Sequence, residues 1–413
     1  MFIGIDDTDS ADGMCTTYLG ALLIRNLEKE GADVRRAFLI RLNPTVPYKT
    51  RGNAAVCIEA YGDCDRIFAT TCDLVEQYAE FSCEKTNPGV VIAMERGPVF
   101  WYERCVREYV TIQEALSLIT GRGMIYRGWK NCRGLIGASA AVSADLSDST
   151  WEVIAYREEE RLKTPRQIDA VSIFSADAAT RPHTWDSVDH KNHVVVCVPH
   201  TPDPVLYGIR GESPFFVSQA AGSILSEPIG ISQLWCTNQG TDSHLIPGNI
   251  GYLIEGSSYF LTGTVTSPPH TGRGGHVTFS ITGKQDAGSD KEDTITCIAY
   301  EPTKGFRDAV RALISGDLIC VAGSYLRGSI NLEKFQLIVP ARHQVLEAPE
   351  CPACLRLMTS AGTNKGYKCR RCGCRRNDPV IKEMERHISP GWYEVPPIAR
   401  RHLSRPLIRD LRD

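Results

Sequence analysis

Two groups of residues in this chain have the types and the spacing to do chemistry. The first lies in GIDDTDSADGMCTTYL, residues 4–19. The pattern predicts a strand ending at Asp6, a loop carrying Asp7, Thr8 and Asp9, and a helix beginning near Cys15 with Thr16 and Thr17 in its first turn. A helix N-terminus offers free N–H groups and a positive dipole end, which suits a phosphate. Three carboxylates beside a phosphate repel it unless a divalent cation stands between them, so the arrangement argues for Mg²⁺–nucleotide binding. Aspartates also cap turns and helices, but one cap needs one carboxylate, and here three fall within four residues. No Walker A, GxGxxG or kinase catalytic-loop pattern accompanies them.

The second group is Cys351-Pro-Ala-Cys354, then 14 residues, then Cys369-Arg-Arg-Cys372. Two CxxC knuckles joined by a hairpin give four thiolates around one Zn²⁺. Four ligands leave no open position, so this Zn²⁺ is structural, and Cys374 is a competing fifth thiol. Lys365, Lys368, Arg370, Arg371, Arg375 and Arg376 around it suit a nucleic-acid-facing ribbon. The other eleven of the 16 cysteines are scattered singly and read as inert.

Two further segments carry donors toward a phosphate site. PYKTRGNAA (47–55) holds Lys49, Arg51 and Asn53, and GRGMIYRGWKNCRGLIGASAA (121–141) interleaves glycines with Arg122, Arg133, Tyr126 and Trp129. Glycine lets backbone approach a ligand, and arginines and aromatics suit phosphates and unstacked bases; an ordinary basic surface loop is the competing reading. None of the ten histidines forms a pair with ligand or nucleophile spacing.

These groups need elements to hold them. Residues 1–145 alternate strands with helices, a mixed α/β unit: strands at 2–6, 34–41, 54–60 and 89–94, helices at 15–30 and 63–82. Residues 146–256 read as a small α+β unit with strands at 150–157 and 193–199 and a helix at 214–226 started by Ser213-Pro214. Residues 257–346 hold five β-branched strands and one helical interruption at 304–316, the pattern of an OB-type barrel. The cysteine ribbon (347–380) and a basic extension (381–413) follow.

Composition sets the class. At 42% hydrophobic and 23% charged residues the chain is globular rather than disordered. No apolar run reaches the ~18 residues of a membrane helix, and MFIGIDD is no signal peptide. A cytoplasmic protein with reduced thiols is expected. Residues 347–413 carry 14 Lys and Arg against 8 Asp and Glu, a balance of +6, which leaves −9 on residues 1–346 out of the net −3. Polyanion binding is thereby assigned to one end.

The 4–19 stretch, above all GMCTTYL after IDDTDS, resembles the start of the archaeal tRNA agmatidine synthetase (TiaS) family. The resemblance continues through 121–141, the barrel and the ribbon. It implies the order kinase-like catalytic domain, ferredoxin-like domain, OB-fold and zinc ribbon. It implies ATP-dependent joining of agmatine to C2 of the wobble cytidine in the CAU-anticodon isoleucine tRNA, with C2 oxygen phosphorylated first and ATP ending as AMP. Carried over onto this sequence, Thr16 would be the autophosphorylation site; the residues themselves suggest that Asp6, Asp7 and Asp9 would hold Mg²⁺ and the triphosphate, with Thr16 at the γ-phosphate. Thr8 and Thr17 would add hydrogen bonds, while Lys49, Arg51, Asn53, Arg122 and Arg133 would hold phosphates or the flipped base. The barrel and ribbon would grip the acceptor end, and a monomer is expected. The competing readings are an RNA kinase or ligase and a non-catalytic OB/zinc-ribbon binding protein. The resemblance gives no role to Trp392, Tyr393, Arg400, Arg401, Arg405 and Arg409; a tRNA-contacting arm is the favoured reading, a helix packed on the body the other.

Overall fold

Nine strands form the central sheet of the chain, seen in a computed structural model that describes residues 1–50, 52–284 and 292–410. In spatial order they are Ile125–Gly128, Gly89–Ala93, Phe2–Asp6, Ala54–Tyr61, Asp33–Arg41, Ile229–Thr237, Thr150–Arg157, Val205–Gly211 and Thr184–Trp185. Strands alternate with helices as expected, yet neighbours are antiparallel throughout except where Ile229–Thr237 meets Asp33–Arg41. The reason is local: Asp33–Arg41 and Ala54–Tyr61 pair directly across the 42–53 loop, so no helix crosses between them. The parallel contact fuses the expected first and second units into one sheet.

Period-two alternation sends the strand residues Ala37 and Leu39 to one face and Phe38 and Ile40 to the other. Helices Thr16–Lys29 and Cys64–Tyr78 cover the first face through Leu19, Leu23, Leu27, Ile67 and Val75. Helices Val99–Arg107, Ile112–Gly121 and Gly134–Val142 cover the second through Trp101, Ile119, Leu135 and Ala138. Their starts are legible chemistry: Asp63 accepts from the Arg66 N–H, and Thr111 and Glu114 form a reciprocal capping box. Helices Ala170–Thr180 and Pro214–Gly222 cover the far end of the sheet. The expected strand at 193–199 shrinks to Val194–Val195, paired with Val188–Asp189.

Strands Ser258–Thr271, Val277–Lys284, Glu292–Ala299, Ser329–Val339 and Leu318–Leu326 pair in that order, and the last closes onto the first. The result is a closed five-stranded barrel around Leu261, Phe279, Val321 and Phe335, with helix Phe306–Arg311 against it. Beyond it, Gln344–Glu347 pairs with Val380–Glu383, and the cysteine ribbon projects between them.

The C-terminal segment is packed on the body, as extended chain and short 3₁₀ turns rather than the helix or free arm considered above. Strand Gly391–Glu394 pairs with Ser329–Val339 of the barrel. Arg400 binds Asp186, Arg401 binds Glu333 (3.2 Å), and Arg409 binds Asp148 (2.9 Å) and Glu212 (2.6 Å). These arginines serve as internal straps between barrel and sheet, so the tail's positive charge is spent within the protein.

Candidate active site

Strand Phe2–Asp6 delivers Asp6 to a cavity of about 720 Å³, and the next residues turn away from the sheet because Asp7 adopts φ +59°. Asp6, Asp7 and Asp9 all line this cavity, together with Cys15, Thr16 and Thr17 from the start of the facing helix. Asp7 Oδ2 accepts from the Asn87 N–H (3.1 Å), and Asp9 Oδ1 accepts from Thr50 Oγ1 (2.8 Å). Thr8 is buried and does not line the cavity; its Oγ1 donates to Thr16 Oγ1 (3.0 Å), which fixes the loop to the helix. Helix Thr16–Lys29 has no side-chain N-cap and no acidic residue in its first turn, so its positive end is turned toward the cavity uncompensated by the helix's own side chains.

Burial and like charge act on two of these aspartates. Burial, then the neighbouring charges of Asp7 and Asp9, push the Asp6 carboxyl well above the usual range. Burial likewise raises Asp7, to about 6. Three carboxylates lining one cavity with a helix N-terminus are a donor set suited to a hard divalent cation and a polyphosphate.

The glycine-rich segment works differently from a loop that grips ligand. It becomes the edge strand Ile125–Gly128 and the helix Gly134–Val142, whose N-terminal turn lies against Asp6. A Cβ at Gly134 would stand 2.6 Å from Asp6 O, and one at Gly137 would stand 2.5 Å from Asp6 Cγ. Those glycines make room for the aspartate. Of the basic residues, Arg133 lines the cavity with its guanidinium 3.9 Å from the Tyr48 ring centroid. Lys49 lines it too and donates to Pro44 O. Asn53 lines the cavity while its amide donates to Asn43 O (3.0 Å), holding the 42–53 loop. Arg122 is exposed at the C-terminal cap of helix Ile112–Gly121 and stands off the cavity, and Arg51 lies outside the described residues.

The far wall was not visible in the sequence. It is built by Arg41, Glu152, Asp186, Asp203, Arg210 and His402, which come from five separate segments. Glu152 accepts from Arg210 Nε (3.1 Å) and Gln239 Nε2 (2.5 Å), and Gln239 Oε1 accepts from Arg41 Nε (3.1 Å). The cavity therefore has an acidic, phosphate-oriented end and a mixed end with paired carboxylates. The one available hint was Glu152 within the otherwise apolar TWEVIAYR, since a buried charge in a strand is rarely without purpose.

In the ribbon, Sγ atoms of Cys351, Cys354, Cys369 and Cys372 lie within 4.8 Å of one another, as tetrahedral Zn²⁺ coordination requires. Backbone N–H groups of Cys372 and Arg371 hold the Cys369 thiol down to about 6, favouring the thiolate that binds metal. Cys374 stands outside the set, its C=O accepting from the Cys369 N–H (2.8 Å). Lys365, Lys368, Arg370, Arg371, Arg375 and Arg376, close to these cysteines in sequence, are all exposed. No helix among the described residues is long and apolar enough to cross a membrane.

Known proteins resemble this chain along nearly its whole length. Residues 2–67 match the TiaS TCKD domain, 132–244 the TiaS FLD domain and 348–388 the TiaS C-terminal zinc ribbon domain. The chain is 47% identical to TiaS of Methanocorpusculum labreanum, an isoleucine-tRNA 2-agmatinylcytidine synthetase, covering 99% of this chain and 97% of that protein. It is 43% identical to the synthetase of the same name from Archaeoglobus fulgidus, over 99% and 97%. The fold is similar to that of TiaS crystallised with its isoleucine tRNA and ATP, with TM-score 0.92 and 43% identity over 99% of this chain and 97% of that one. It is likewise similar to that of TiaS crystallised with the tRNA, AMPCPP and agmatine, with TM-score 0.89 and 41% identity over 99% and 96%. The chain belongs to the TiaS family of isoleucine-tRNA 2-agmatinylcytidine synthetases.

Proposed function

We propose that this protein is the ligase that joins agmatine to C2 of the wobble cytidine of the CAU-anticodon isoleucine tRNA, with ATP converted to AMP. The carrying observation is the aspartate trio facing an uncapped helix N-terminus within one cavity, in a chain similar end to end to the TiaS synthetases. A pyrimidine C2 oxygen leaves poorly. Phosphorylating it makes displacement by an amine feasible, which is why an ATP site and a base site must share a cavity.

Asp6, Asp7 and Asp9 would hold Mg²⁺, which when bound neutralises phosphate charge. Thr16, on the first turn of the helix and lining the cavity, would meet the γ-phosphate and be the autophosphorylated residue, with its hydroxyl oriented by Thr8. Thr17, Lys49 and Arg133 line the same cavity and would donate to phosphates. The carboxylates of Glu152, Asp186 and Asp203 at the other end, each already paired with an arginine of the chain, would still add negative charge toward the guanidinium of agmatine.

Residues 1–145 are the kinase-like catalytic domain in this reading and 146–256 the ferredoxin-like domain, despite their common sheet. The barrel's strand order, first-second-third-fifth-fourth with a helix before the fourth, supports the OB-fold assignment. The barrel, the ribbon with bound Zn²⁺ and its six exposed lysines and arginines would take the acceptor end of tRNA in the cytoplasm.

Labelled ATP and agmatine, incubated with Mg²⁺, the protein and CAU transcript, test this. AMP should form and agmatine should enter the transcript, but not one whose wobble cytidine is replaced. ADP formation indifferent to agmatine would indicate an RNA kinase instead.

A further inference from the structure

The cavity contains an imidazole to which the reading above gives no work. His402 sits in the C-terminal strap, and the strap is fixed on both sides of it. The backbone C=O groups of His402 and Leu403 accept from the N–H groups of Gly240 and Asp242 (both 2.8 Å). Arg400 and Arg401 are bound to Asp186 and Glu333, and Leu403 is buried in the core with Phe38 and Trp101. A rigid backbone thus presents the ring to the cavity wall. A Cβ added at Gly52 would meet Arg41 Nη1 at 2.9 Å and His402 Nε2 at 3.4 Å, so ring and guanidinium converge over that glycine.

The ring's chemical state follows from its surroundings. Its Nδ1 is buried and has no hydrogen-bond partner among the described residues. Burial, then the charges of Arg41, Arg210 and Lys49, hold the imidazole well below the usual histidine range. It is therefore neutral and keeps one lone pair. The carboxylates on this side are engaged: Glu108 by Arg104 (3.1 Å), Glu152 by Arg210 (3.1 Å), Asp186 by Arg400 and Asp203 by Arg166 (3.4 Å). Asp6, Asp7 and Asp9 belong to the phosphate end. Among the described residues of this side of the cavity, His402 is a base for which no arginine ion pair is seen.

We propose that His402 is the general base that takes a proton from the attacking primary amine, an inference that rests on the function proposed above. An ammonium has no lone pair, so agmatine must lose a proton before it can act as a nucleophile. The proton passes to the imidazole and the freed lone pair forms the C–N bond at C2. The C2–O bond then breaks and its electron pair leaves with the phosphate. Phosphates arriving in the same cavity offset the three cations facing the ring and restore the basicity the step needs.

The test compares two amines on the full-length protein with ATP, Mg²⁺ and the CAU transcript. One is agmatine; the other is its aminooxy analogue, whose nucleophilic nitrogen is neutral at pH 7. In His402→Gln, conjugation of agmatine should fall by about 10²–10⁴-fold, whereas the analogue keeps most of its rate. Raising the pH should recover the variant with agmatine in proportion to the free amine. Equal losses with both amines, no loss with either, or no recovery with pH would each overturn the proposal. His402→Asn provides the same comparison should the glutamine variant fold poorly, because the ratio between amines is read within one protein. A parent chain that joins neither amine would refute the proposed function itself, and the inference with it.

Discussion

Gly137→Ala adds one methyl group to a helix interior, where alanine is ordinarily the better residue by about 0.5–1 kcal/mol. Here the methyl has nowhere to go. It would stand 2.5 Å from Asp6 Cγ and 2.9 Å from Leu42 Cδ1, whereas carbon atoms rest at ~3.5–4.0 Å. The Asp6 carboxyl must therefore move by roughly 1 Å, a misplacement that costs on the order of 10²-fold in rate. Overpacking costs about 1–3 kcal/mol, partly offset by the helix preference. The expected result is a folded protein, its Tm lowered only modestly, that converts ATP to AMP about 100 times more slowly in the presence of tRNA and agmatine. Gly121→Ala is the control, since a Cβ there meets nothing within 4 Å. Gly137→Ala with near-parental turnover and unchanged Tm would refute the argument that this glycine exists to seat Asp6.

Asp7→Ala should abolish ATP consumption while leaving tRNA affinity nearly unchanged, measured by radiolabel and filter binding; a variant that still turned over would remove Asp7 from the mechanism. Excising 348–379 and bridging Glu347 to Val380, which already pair, should raise the Kd for tRNA far more than that for ATP. Equal effects would argue against a tRNA-binding ribbon. Removal to the C-terminus, by contrast, should unfold the protein, because the strap carries Arg400, Leu403 and Arg409. Burial alone would raise the Glu333 carboxyl, but His244 (3.0 Å), Arg401 and Lys334 outweigh it and hold it down to about 2. Glu333→Gln should cost about 3–5 kcal/mol at neutral pH. Because the folded value is depressed, that contribution is present above pH ~4.5 and fades as the pH falls toward ~2. A stability gap between parent and variant as large at pH 2 as at neutral pH would contradict this. A chelator should release one Zn²⁺ per chain and weaken tRNA binding while ATP binding persists; unchanged tRNA binding would count against the ribbon's role.

What the sequence revealed was what lies close together along it. The aspartates fall within four consecutive positions and the cysteines of the ribbon in two short knuckles, so that each group could be picked out from its spacing. The barrel was legible for a related reason, since its five strands follow one another with only a helix between. The far wall was not, because Arg41, Glu152, Arg210 and His402 meet only after strands distant in the chain pair in one sheet and the strap folds back over it. In 121–141 composition told only part of the story: Arg133 lines the cavity and Arg122 stands off it, while Gly134 and Gly137 are small so that a helix can press on Asp6. The basic tail shows the same limit, as net charge says nothing about whether an arginine already has an internal partner.

The most direct test of the central claim is the mass of the wobble nucleoside after digestion of CAU transcript incubated with the protein, ATP, Mg²⁺ and agmatine. The account predicts cytidine heavier by agmatine less one water, at that position alone and only when AMP is formed. Unmodified cytidine accompanied by ADP, or a phosphate retained on the RNA with no amine attached, would contradict it.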